Sequence, residues 1–86
     1  MDAWEFDSMD PVRKWEYFWE YGIYVDSITE KHVDYFLFRH KKIKSVYMEL
    51  FMVKDSPEKG IRVISGGEAL VKYYLQEGEK PSPPWE

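Results

Sequence analysis

Arg39-His40-Lys41-Lys42-Ile43-Lys44 places four cations within six residues, beside stretches dense in Phe and Tyr. Cations that meet phosphate next to rings that stack on bases are the working parts of many single-strand binders. Arg39, Lys41, Lys42 and Lys44 are therefore the candidate nucleic-acid contacts. The plainer reading of the same run is a solvated hairpin whose lysines keep strand edges from pairing with neighbours.

The other reactive side chains combine less well. His32, Asp34 and His40 are spaced by even numbers, and two imidazoles with a carboxylate can hold a divalent metal. On an extended strand, however, the two histidines would stand roughly 26 Å apart. Glu16 and Glu20 are neighbours on a helix, which a solvated helix face explains. Asp7 and Asp10 form a looser pair. There is no cysteine and no G-x-S-x-G elbow, and each serine has a cap, turn or tail to explain it. A metal-dependent nuclease strand would follow its acid two residues later with Lys, whereas Glu49 is followed by Leu50 and Phe51. Ser65-Gly66-Gly67-Glu68 reads as a helix cap, without the lysine or length of a phosphate-binding Walker loop. The sequence thus argues against an enzyme and names no metal and no cofactor.

Charge is unevenly spread. Residues 1–38 hold nine acids and three bases, and residues 39–62 hold seven bases and three acids, within a net charge of −4. An acidic body with a basic middle disfavours indiscriminate DNA coating but leaves a local basic patch. The chain has no Asn, one Gln, one Thr and sixteen aromatic residues, with a third of its residues charged. Depletion of heat-labile side chains and enrichment in ionic ones is the bias of hot-living organisms, so a thermophilic microbe or its mobile element is the expected source. No apolar run approaches the ~20 residues that span a bilayer. Met1-Asp2-Ala3-Trp4-Glu5 lacks the layout of a signal peptide. A soluble, cytoplasmic protein without membrane contact is expected.

Asp10-Pro11 marks a helix start, and Val12, Trp15, Phe18 and Trp19 share one face of a helix over 11–21 ending at Gly22. Residues 22–26 read as a short strand. Ser27-Ile28-Thr29-Glu30 matches a capping box, and Val33, Phe36, Leu37 and His40 fit helical spacing, while Tyr35 to Phe38 favour a strand. The reading taken is a turn at 27–31 and a strand at 32–39. Ser45 to Lys54 is the clearest strand, Asp55 to Gly60 a turn, Ile61 to Ile64 a strand, and Ala69 to Gln76 a helix. The result is an α+β domain over 1–78: an antiparallel meander of three to four strands between an N-terminal and a C-terminal helix, order α-β-β-β-β-α. Residues 79–86 form a Pro-rich tail expected to be flexible, with Trp85 as a docking anchor. The helix–strands–helix order resembles that of double-stranded-RNA-binding domains in topology alone. Where that family opens its last helix with a Lys-Lys-x-x-Lys cluster, this chain has Gly66 to Lys72 with one lysine.

On the 45–53 strand one face carries Val46, Met48, Leu50 and Met52, and the other Tyr47, Glu49, Phe51 and Val53. Both sheet faces therefore want cover. Splitting the helices, folding a terminal segment over one face, or a second chain would each supply it. A second copy is the expectation for so small a domain, through Tyr47, Phe51 and Val53, with Trp85 as a further protein contact. The leading expectation is thus a non-enzymatic interaction module or accessory subunit that forms a homodimer or takes a protein partner. The alternative is an RNA or single-stranded nucleic-acid binder using the 39–44 loop.

Overall fold

Asp10 and Pro11 start the long helix as their chemistry requires. The computed structural model describes residues 3–74. Helix α1 spans Ala3–Asp7 and α2 spans Pro11–Tyr21. The Asp10 carboxylate accepts the Arg13 N–H at 3.0 Å, and Pro11 has no N–H to satisfy. At the far end Gly22 is extended rather than left-handed. Its lack of a side chain matters through proximity: a Cβ there would lie 2.6 Å from the Phe18 carbonyl oxygen.

Four strands follow, β1 Gly22–Glu30, β2 Val33–His40, β3 Tyr47–Val53 and β4 Lys59–Ile64. They pair antiparallel in chain order as a meander. Helix α3, Gly66–Ala69, runs into a π-helical turn over Leu70–Tyr74. This is the α+β order anticipated above. No helix among the described residues is long and apolar enough to cross a membrane.

The turn expected over 27–31 is a correction. Residues 27–30 continue β1, and only Lys31 and His32 turn, with φ of 49° and 66°. Two consecutive positive-φ residues make a tight mirror-image hairpin turn, a job usually given to Asn-Gly. The supposed capping-box residues serve the strand instead. Ile28 is buried opposite Tyr35, and the Thr29 hydroxyl donates to Asp34 Oδ1 at 2.6 Å. A bulge between Tyr24 and Asp26 shifts the register. Tyr24 and Ser27, three apart, consequently share a face, and their hydroxyls bond at 3.1 Å.

The helices split, so each sheet face has its own cover. Phe6 of α1 and Phe18 of α2 pack on Phe36, Phe38, Met48 and Leu50. Phe18 and Phe38 meet edge to face at 4.4 Å. On the opposite face Ala69 and Tyr73 cover Ile28, Leu37 and Ile64. Glu49 also lies on that face and is fully buried. Its carboxylate accepts from Arg62 Nε at 2.8 Å and the Tyr73 hydroxyl at 2.7 Å, and pairs with Lys72 Nζ at 3.0 Å. Lys72 Nζ sits 3.2 Å from the centroid of the Tyr35 ring. Ser65 caps α3 by accepting the Glu68 N–H, but the Glu68 carboxylate turns to Arg62 at 2.7 Å rather than back to its own helix start.

Candidate anion-binding site

The β2–β3 connection is built from its buried end outward. His40 is the last residue of β2 and is 5 % exposed. Its backbone N–H bonds the Val46 carbonyl at 2.9 Å and closes the loop. Its ring Nδ1 accepts two backbone N–H groups, from Lys42 at 3.0 Å and Ile43 at 2.9 Å. An imidazole nitrogen that accepts carries no proton, so the ring proton sits on Nε2 and is donated to Tyr17 Oη, 2.6 Å away. Tyr21 stacks on the same ring at 5.1 Å, and the Tyr21 carbonyl accepts the Lys41 N–H at 2.7 Å. Helix α2 therefore grips the loop through both its side chains and its last carbonyl.

This setting holds His40 neutral. Burial above all, with the positive charge of the Lys42 ammonium adding to it, pushes its pKa below the ordinary imidazole value. Protonation at Nδ1 would also place a donor against two donors. Tyr17 is shifted upward by its own burial and by Tyr21, so its phenol stays protonated.

Held this way, the loop curls around a cavity of about 350 Å³ lined by Arg39 through Tyr47. All four sequence-identified cations line it. Arg39 and Lys41, Lys42 and Lys44 are exposed, and none has a carboxylate partner among the described residues. Lys42 Nζ lies 5.7 Å over the Tyr21 ring. Tyr47 faces Arg39 across the two strands and contributes an aromatic wall. The arrangement suits an anion: clustered positive charge, no acid on the lining among the described residues, and a ring at the side.

The remaining candidates fall elsewhere. His32 is exposed in the β1–β2 turn, Asp34 bonds Thr29, and His40 is enclosed by α2, so these three do not converge. Glu16 and Glu20 are exposed on α2. Tyr47 is half-buried against the Ile28–Leu37–Ile64 cluster. Phe51 is half-buried with its ring across Gly60, where a Cβ would come within 2.7 Å of it. Val53 is half-buried at the end of β3. Trp85 and the Pro-rich tail lie outside the described residues.

Sequence reasoning missed the scaffold of the loop: Tyr17, Tyr21 and His40. The available signal was two tyrosines four apart at the end of α2 and a histidine inside the basic run. It also missed the Glu49 cluster, whose only sign was one acid between Tyr47 and Phe51. Neither a known protein family, nor a curated protein, nor a solved structure matches this chain, so the site is read from its own geometry.

Proposed function

We propose that the chain is a non-enzymatic module that binds single-stranded nucleic acid, RNA in the first instance, at the 39–47 loop. One observation carries this reading: four cations without carboxylate partners among the described residues surround a cavity on a loop braced from behind by α2. The loop's short length favours a single strand over a duplex. Duplex binders spread their contacts over successive grooves, and here the charge is gathered in one connection on an acidic body. Tyr47 supplies a ring for one base, and the lysines supply contacts for its flanking phosphates.

The test is anisotropy of a labelled oligouridylate at 50 and 200 mM salt. Four phosphate contacts to a single strand give a salt slope of about −2.8 and so an affinity loss of about 50-fold over that range. Lys41→Glu with Lys42→Glu removes binding. Absence of binding at the lower salt ends the proposal.

A second reading is favoured by a separate observation. Leu70 and Val71 are exposed on the outside of the C-terminal helix, on the side of the sheet where Phe51 and Val53 are half-buried. Such a surface supports self-association as a homodimer, with Trp85 as an additional anchor, and a monomer in light scattering at micromolar concentration counts against it. Either reading takes the chain as a cytoplasmic protein of a thermophilic microbe or its mobile element, on the strength of its composition.

A further inference from the structure

A second surface lies at the opposite end of α2. Pro11, Lys14 and Trp15 face Phe51, Gly60 and Ile61 across a groove of about 310 Å³, with Lys59 at its rim. Gly60 lets the Phe51 ring lie across β4 at the edge of the groove, since a Cβ there would come within 2.7 Å of that ring. The apolar surface continues along α2, where Val12 is 65 % and Trp19 48 % exposed and the Trp15 and Trp19 rings stack at 6.5 Å.

The charge at the groove is of one sign. No acid lines it, and neither Lys14 nor Lys59 has a carboxylate partner among the described residues. Each ammonium instead rests over a ring, Lys14 at 5.7 Å from the Phe6 centroid and Lys59 at 5.3 Å from Trp15. A cation held over a ring keeps that attraction while pairing with an incoming carboxylate. In a chain with sixteen acids, two lysines that flank an aromatic groove without a carboxylate partner among the described residues describe a complementary ligand. It is apolar at its centre and negative on both sides.

We propose that this groove docks an acidic peptide segment of a protein partner, with one bulky aromatic side chain packed beside Trp15 and Ile61 and flanking carboxylates on Lys14 and Lys59. Volume and charge select this occupant. The groove takes one anchor side chain, and a polyphosphate chain would gain nothing from its apolar walls.

The test uses a fluorescein-labelled peptide carrying one tryptophan between two pairs of glutamates. Saturable binding is expected, with amide shifts at Lys59, Gly60 and Ile61 and at the Trp15 indole, and none at 41–44. The double variant Lys14→Glu, Lys59→Glu weakens binding at least about tenfold. The control Arg13→Glu, Lys31→Glu, with the same net charge, leaves it unchanged. An unaltered thermal midpoint shows that both variants fold. No shift at about 1 mM peptide overturns the proposal, as do shifts confined to the 39–47 loop, equal binding of a lysine-for-glutamate peptide, or oligouridylate shifting the groove residues. A homodimer that buries Trp15 and Trp19 overturns it too. Because the readouts sit on different amides, failure here leaves the nucleic-acid reading standing, and the reverse.

Discussion

Replacing Glu49 by Ala tests the idea that one buried carboxylate fastens the C-terminal helix to the sheet. The carboxylate is inaccessible to solvent and has three partners within 3.0 Å. Their fates differ once it is gone. Arg62 is 46 % exposed and retains Glu68, so water and that acid satisfy it. Lys72 is only 14 % exposed and Tyr73 is buried, so under the helix the ammonium loses its counter-charge and the hydroxyl loses its carboxylate acceptor. Breaking a buried pair from one side costs about 3–5 kcal/mol. An 86-residue domain holds about 4–13 kcal/mol in total. The variant should therefore lose a large share of its stability, and its melting midpoint should drop by ~15–30 °C. Urea titrations followed by tryptophan fluorescence measure this directly. The decisive comparison is the triple change Glu49→Leu, Lys72→Met, Tyr73→Phe. It removes charge and partners together and should recover most of the loss, because apolar replacement of a whole buried ionic set is often neutral. The reasoning fails if Glu49→Ala lies within about 1 kcal/mol of the parent, or if the triple variant is no better than the single one.

Two further outcomes follow from the loop and the hairpin. The His40 pKa lies below its unfolded value, so its contribution is present above about pH 6.5 and is lost as pH falls through the folded value. Stability against pH should decline below about 6.5 in the parent and less in His40→Gln, with the Lys42 and Ile43 amides losing exchange protection together. Replacing Lys31-His32 by Asn-Gly should raise stability by about 1–2 kcal/mol by relieving two positive-φ side chains, as read by chemical denaturation. No gain would mean that the turn is not held in the left-handed region in solution.

The helix over 11–21 and the strand around 47–53 were legible because their signals are local. A capping acid, a proline and an apolar stripe mark the first, and a short, nearly continuous apolar run bounded by turn residues marks the second. The stretch 22–32 was opaque for a physical reason. The bulge between Tyr24 and Asp26 breaks the period of two, so Ile28 and Val25 reach the same cluster although their spacing is odd. The turn carries neither Gly nor Asn, the residues whose conformational freedom announces such a turn. Short α1 was hidden because its only support is tertiary, the burial of Phe6 against α2 and the sheet. The four cations of the candidate site were visible as a run, but the cavity was not. It exists because His40 Nδ1 gathers two amides of the loop, an interaction that no spacing rule encodes.

Both candidate surfaces depend on α2, and that dependence constrains how they act. Its C-terminal end supplies Tyr17, Tyr21 and the carbonyl that hold the basic loop, and its N-terminal end supplies Pro11, Lys14 and Trp15 to the groove. Ten residue steps of helix lead from Pro11 to Tyr21, about 15 Å of axis. That distance exceeds the Debye length of about 8 Å at physiological salt, so charges bound at the two ends screen one another. An acidic peptide on Lys14 and Lys59 therefore leaves the potential at Arg39, Lys41, Lys42 and Lys44 largely intact. The helix between them is fixed by Phe18, which is fully buried against Phe38, so neither end moves without disturbing the core. Coupling between the surfaces should accordingly be small, and a ternary complex should form with each ligand at nearly its separate affinity. Strong mutual exclusion between oligouridylate and the acidic peptide would mean instead that both compete for a single basic surface, and that the division of this chain into two binding ends is mistaken.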